Sequence, residues 1–123
     1  MNAPHTHAVV LFGHGSRDPL WHLPMERVAT LLRAQHGDWN VRCAYLELSQ
    51  PDLPTVCQEL AAAGIQSISV LPLFLGVGRH AREDLPLLLQ AEQARYPHIA
   101  FSLKPAVGED PRLLQLLAQI AAE

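Results

Sequence analysis

Two histidines stand where side-chain chemistry could be done. His14 lies in Gly13-His14-Gly15-Ser16-Arg17-Asp18, directly after the apolar run Val9-Val10-Leu11-Phe12. His80 closes Gly76-Val77-Gly78-Arg79-His80, after Ile68-Ser69-Val70-Leu71-Pro72-Leu73-Phe74-Leu75. Neutral imidazole is a ligand for Fe, Co, Ni and Zn, and with a pKa near ~6.5 it also accepts a proton around neutrality. Two histidines without further strong ligands hold a metal loosely and leave coordination positions open, which suits a site that passes its metal on. Glu47, in Leu46-Glu47-Leu48-Ser49-Gln50-Pro51, reads either as a solvated loop carboxylate or as a proton acceptor or relay. Arg17, Arg79 and Arg82 flank the two histidine turns, as surface charge or as groups that take carboxylates through bidentate hydrogen bonds.

For these side chains to meet, the segments carrying them must end at one edge. The chain alternates β-rich apolar runs with helix-period segments: strands are predicted over 8–13, 40–46, 66–71 and 98–103, helices over about 19–36, 51–63, 83–95 and 111–122. The near-continuous apolar character of the first and third runs fits parallel strands covered on both faces. Right-handed crossovers then give an α/β fold, a small doubly wound four-stranded parallel sheet with flanking helices, ordered 2-1-3-4. In that order the first and third strands are neighbours, and both histidines flank the crevice at the carboxyl edge. Helix starts are predicted at Asp18-Pro19, Ser49-Gln50-Pro51, Asp84-Leu85-Pro86 and Asp110-Pro111, where an oxygen caps free amides and proline presets the first turn. Pro24 is expected to end an initial turn and restart the first helix near Met25. Gly37 and Gly64 suit helix exits in the left-handed region. Ser16 and Asp18 read as turn and cap residues, while Glu83 and Asp84 favour a helix start electrostatically. The clearest amphipathic segment is the last, with Leu113, Leu114, Leu116, Leu117 and Ile120.

A chain of 123 residues, 49% of them hydrophobic, is long enough for one domain with its own core. We expect residues 1–7 to be a flexible N-terminus, whose His5 and His7 bind metal at most weakly, and 8–123 to form the domain. His22, His36 and His98 fall outside the two turns and receive no role. Cys43 and Cys57 form no C-x-x-C and read as buried thiols. The net charge of −3 argues against nucleic-acid or anionic-membrane partners, and no apolar stretch approaches a membrane span. The start, Met1-Asn2-Ala3-Pro4-His5, lacks a basic region followed by an apolar core, so a cytoplasmic location is expected. Residues 76–81 formally fit G-x-G-x-x-A, but in the third unit rather than the first and with no acid ending the next strand, so a nucleotide-binding module is a weak alternative. Gly13-His14-Gly15-Ser16 lacks the G-x-S-x-G context of a hydrolase.

In order and spacing, several of these segments resemble the class II tetrapyrrole chelatases, specifically the small single-domain CbiX-type sirohydrochlorin cobaltochelatases and their ferrochelatase and nickel-chelatase relatives. They are Gly13-His14-Gly15-Ser16-Arg17, Leu46-Glu47-Leu48, Pro72-Leu73-Phe74-Leu75, Gly78-Arg79-His80, Asp84-Leu85-Pro86 and Gly108-Glu109-Asp110-Pro111. The resemblance implies insertion of a divalent metal, Co2+ first and Fe2+ or Ni2+ next, into a sirohydrochlorin-type ring, with the metal as substrate and no organic cofactor. It implies His14 as metal ligand and proton acceptor, His80 as second metal ligand, and Glu47 as a ring-contacting or proton-relay carboxylate. Leu75, Gly76, Val77, Gly78, Arg79 and His80 would then line the pocket, with Arg17 at its mouth. Because one small domain offers one wall of a macrocycle cleft, a homodimer is expected. A non-enzymatic metal or tetrapyrrole carrier using the same cleft is the alternative.

Overall fold

The computed structural model of the protein describes residues 6–123. Four parallel strands, β1 (His7–Gly13), β2 (Asn40–Tyr45), β3 (Ser67–Pro72) and β4 (Ala100–Leu103), form one sheet in the order β2-β1-β3-β4. The helices are α1 (Leu23–Gln35), α2 (Leu53–Ala62), α3 (Arg79–Arg95) and α4 (Pro111–Ala122). The predicted topology is therefore the observed one, with β1 and β3 side by side at the centre. β1 begins at His7, inside the stretch expected to be flexible: Thr6 accepts backbone hydrogen bonds from Gln66 and Ser67, and the His7 ring bonds Ser67 at 2.7 Å. His5 lies outside the described residues.

Two helix starts, at Asp18-Pro19 and Asp110-Pro111, agree with the sequence reading and two differ. A short 3-10 turn, Pro19–His22, precedes α1 and is capped by the Asp18 carboxylate, which accepts from the Leu20 amide; the initial turn is as anticipated, but α1 restarts at Leu23, with Pro24 inside its first turn rather than at the break. α2 is capped by Asp52, not Ser49, because Pro54 occupies the helix's first turn and leaves Pro51 in the loop before it. α3 starts at Arg79, four residues before the predicted start, and carries Pro86 inside it. Pro86 cannot donate to the carbonyl four residues earlier, but that carbonyl belongs to the exposed Arg82 and can be hydrated, so the helix runs through. Gly64 takes the expected left-handed conformation (φ 82°), whereas Gly37 does not, α1 ending on His36 at φ −137°.

Two cores sandwich the sheet. On one face Val10, Phe12, Ile68 and Val70 pack under Val56, Cys57 and Leu60 of α2 and Leu85 and Leu89 of α3. On the other face Val9, Leu11, Val41, Cys43 and Tyr45 meet Met25 and Ala29 of α1. Burial pushes the Cys43 thiol up to about 11 and the Cys57 thiol up to about 12, so both stay protonated as packing groups. α1 covers only the β1–β2 half of its face. Over β3 and β4 that face shows Ser67, Leu71, Ala100, Ser102 and Lys104, all at least partly exposed. α4, expected to be a flanking helix, buries none of its residues and packs mainly on the short turn Val107–Glu109 before it. At the amino edge of the sheet Trp39 stacks on His36 (centroids 3.8 Å apart, rings 4° from parallel) and meets His7 edge-on.

Candidate functional site

The carboxyl edge is built by ladders that outrun the strands. Beyond β1 the Leu46 amide donates to Gly13 O (2.9 Å) and the Glu47 amide to His14 O (3.0 Å), while on the other side the Leu73 amide donates to Phe12 O (2.8 Å). His14 is thus held between the loop after β2 and the loop after β3. Gly15 is required twice over: its φ is +103°, and a Cβ there would fall on the Glu47 carbonyl. The matching strain lies in the Glu47 loop, where Leu48 sits at φ 63°.

Ser49 ties the two loops together. Its Oγ accepts from the Ser16 amide (2.9 Å) and donates to the Ser16 carbonyl (2.7 Å). Having given its only proton, that oxygen accepts from His22 Nε2 at 2.8 Å. The Ser16 hydroxyl in turn accepts from the Asp18 amide (3.1 Å), and the His22 ring packs edge-on against Tyr45 (4.9 Å). Tyr45 is itself buried, which pushes its hydroxyl up to about 12. Sequence reasoning assigned His22 no role and read Ser49 as a helix cap. Their partnership crosses 27 residues of chain and leaves no local signal.

From the β3 side Phe74, only 2% exposed, stacks on the His14 imidazole (centroids 4.1 Å apart, 27° between planes) and lies edge-on to Phe12. The imidazole itself is solvent-exposed, as is Glu47. Among the described residues, no hydrogen bond engages the side chain of His14, Glu47 or His80, so their polar atoms are open to a ligand.

The second histidine is placed differently. His80 belongs to the first turn of α3 rather than to a loop, exposed and next to Arg79, whose guanidinium reaches Glu83 one turn on (3.3 Å). Gly78 caps α3 with extended backbone and no side chain, and Leu75 and Gly76 are exposed while Val77 is half-buried against the core. Arg17 is exposed in the loop after His14. The fold thus brings the His14, Glu47 and Phe74 loops together and sets His80 and Arg79 on the helix leaving the same edge. Among the described residues, no three His, Cys, Asp or Glu side chains gather closely enough to cage a cation. An arrangement of this kind offers a cation few donors, and a planar ligand exposed imidazoles, carboxylate and guanidinium along one rim.

Comparison with known proteins gives a consistent answer. The chain is 36% identical over 90 residues to a sirohydrochlorin cobaltochelatase from Methanothermobacter thermautotrophicus, a match covering 73% of this chain and 62% of the relative. It superposes on a CbiX protein from Marinobacter aquaeolei VT8 with a TM-score of 0.82 at 30% identity, over 94% of each chain. It also superposes on the sirohydrochlorin chelatase SirB from Bacillus subtilis subspecies spizizenii, solved with cobalt, with a TM-score of 0.73 at 25% identity, over 95% of this chain and 50% of that one. The matched stretch is thus less than two thirds of the first of these relatives and half of SirB. The CbiX family profile matches residues 8–123, and on that extent the chain belongs to the CbiX family.

Proposed function

We propose that this protein is an ATP-independent chelatase that inserts a divalent metal into a sirohydrochlorin-type tetrapyrrole and releases two protons. Residues 8–123 act as one domain, and the protein works as a cytoplasmic homodimer in cobalamin or siroheme biosynthesis. Co2+ is the first candidate metal, Fe2+ the second and Ni2+ the third. Generic nitrogen-ligand affinity favours nickel over cobalt, so it does not choose among them. The observation that carries the reading is the His14 imidazole, pinned by Phe74 on one side and the Glu47 loop on the other, yet open to solvent at the carboxyl edge.

In this reading His14 ligates the incoming metal and then accepts a pyrrole proton as the ion moves from imidazole to ring nitrogens. Glu47 carries a proton from the ring's edge to water. His80 supplies a second, weaker metal contact. Leu75, Gly76, Val77 and Gly78 form the wall against which the ring lies, and Arg79 and Arg17 face its carboxylates. Metal and ring are both substrates, so the metal must leave its protein ligands every turnover, and a sparse donor set helps it to do so.

The test is anaerobic metallation of sirohydrochlorin followed by absorption, with cobalt or ferrous iron at matched concentration. Repeated turnover above the background, slowed about 100-fold by His14→Ala, is the expected outcome for a group in general acid–base and ligand roles. Tight ring binding with no acceleration over the protein-free reaction would replace the enzyme by a carrier.

A further inference from the structure

Leu48 is held in a conformation that suits it poorly. Among the described residues it is the only one other than glycine with a positive φ, 63°. A branched side chain is disfavoured there because its Cβ crowds the following carbonyl oxygen, and glycine or asparagine enters the region far more readily. The loop itself imposes the conformation. On one side the Glu47 amide is bonded to His14 O and the Glu47 carbonyl lies against Gly15; on the other, the Ser49 hydroxyl is clamped to Ser16. Residue 48 must bridge these two fixed neighbours, and none of the bonds that fix them uses its side chain. A glycine would serve the backbone with less strain.

What the leucine adds is an apolar side chain held out in water. Leu48 is 55% exposed and packs into neither core, and Leu46, on the other side of Glu47, is 39% exposed. Across His14, the loop after β3 shows Leu75 at 63% exposure. The Glu47 carboxylate thus stands between two uncovered leucines on one side of the imidazole, with a third leucine on the other side. Backbone strain retained at a residue that the fold does not pack gathers at sites that grip a ligand.

A tetrapyrrole matches this arrangement in its two chemical parts. Its carboxylates lie around the periphery, within the reach of rim cations such as Arg17 and Arg79, while the faces of the conjugated ring are flat and apolar. Rim charge attracts any polycarboxylate, whereas an apolar surface under the face separates a flat ring from a flexible polyanion. We propose that Leu48, with Leu46 beside it, is an apolar lip on which one face of the ring rests, opposite the Leu75 wall, and that it determines ring affinity and seats the ring edge at Glu47. This rests on the tetrapyrrole reading of the site and gives that site a second contact surface.

The experiment is anaerobic titration of the full chain with metal-free sirohydrochlorin, followed by absorption, in wild type, Leu48→Gly, Leu48→Asn and Leu48→Met, with urea midpoints measured alongside. Glycine relieves the backbone outright; asparagine tolerates the left-handed region while keeping a Cβ and the stiffness of the loop. Both variants are expected to bind the ring about tenfold more weakly, at low and at high salt alike, the loss that follows from forgoing roughly half of a leucine's burial. Their urea midpoints should equal or exceed that of wild type. Leu48→Met keeps an apolar side chain of similar volume and should bind within about twofold of wild type. Weaker binding without weaker folding is a combination that a packing role does not produce. Glycine and asparagine variants that lower the urea midpoint and leave ring affinity unchanged overturn the proposal and make Leu48 part of the loop's own packing. Ring affinity that falls together with the sedimentation coefficient gives the leucine to a contact between copies and overturns the lip as well. A wild type that binds the ring through Leu48 but never accelerates metallation removes the enzyme and leaves the lip standing, whereas a wild type that does not bind the ring overturns both.

Discussion

The two histidine turns are built on opposite plans. Around His14 the backbone is bonded to both neighbouring loops, Ser49 grips Ser16, and Phe74 lies on the ring. Around His80 there is a helix end capped by glycine, an exposed ion pair between Arg79 and Glu83, and open space at Gly76 and Gly78. One turn holds its group in place through contacts with both neighbouring loops, while the other presents its group on an exposed helix end. In the reaction proposed above, which hands a metal from protein to ring, a firmly held His14 and a more exposed His80 would divide the labour.

Glycine substitutions break this contrast most sharply. Gly15→Ala forces an L-residue to φ +103° and onto the Glu47 carbonyl, and should cost about 3 kcal/mol in urea unfolding together with most of the metallation rate. Gly78→Ala, at φ −66° with nothing within 4 Å of the new methyl, should stay within about 0.5 kcal/mol of wild type. Equal tolerance of both would remove the idea of one tightly packed and one open turn.

A smaller effect separates the polar supports. Ser49→Ala takes away the clamp on Ser16 and the acceptor for His22, and should cost about 1–2 kcal/mol. If the clamp aims His14, metallation slows about 10-fold while ring affinity holds within about twofold. Arg79→Ala should change stability by less than about 0.5 kcal/mol, its ion pair being exposed. It should weaken ring binding more at low salt than at high salt, and a loss independent of ionic strength would contradict an electrostatic role.

An effect of similar modest size, and remote from the edge, comes from the far end of α3, the helix that carries His80. Glu92 is buried, bonded to Arg95 at 3.3 Å through one oxygen and unpartnered at the other, and burial raises its carboxyl above the ordinary 4.5. Below 4.5 both folded and unfolded chains hold this proton and Glu92 costs nothing; as pH rises from there through the raised folded value, the unfolded chain sheds it first and stability falls. Glu92→Gln should therefore gain on wild type in urea midpoint between pH 4 and pH 8, by about 1 kcal/mol. A difference that is flat with pH would mean the carboxyl titrates normally.

Strand number, order and the shared edge of the two histidines were legible because each depends on runs of local residues: apolar stretches that fit a sheet covered on both faces, ended by glycine turns. The start of α3 was not, since a proline usually marks a first turn and here Pro86 is tolerated where an exposed carbonyl meets water. Ser49 was misplaced for a related reason, because Asp52 and Pro54 offered an equally good cap three residues later. The His22–Ser49–Ser16 contact joins segments that only the closed sheet brings together. The stripe on α4 was visible in the sequence, but periodicity shows only that a face is apolar and not what packs on it.

The stacked pair at the amino edge of the sheet has an optical consequence. Trp39 lies flat on His36 there, while Trp21, the chain's only other tryptophan, has its ring against Gly13 at the opposite edge, one residue before His14. Replacing Trp39 by phenylalanine leaves a single indole whose emission reports on that strand exit alone. Arrival of a coloured ring or a paramagnetic ion at the edge then registers as quenching, in unlabelled protein and without waiting for turnover.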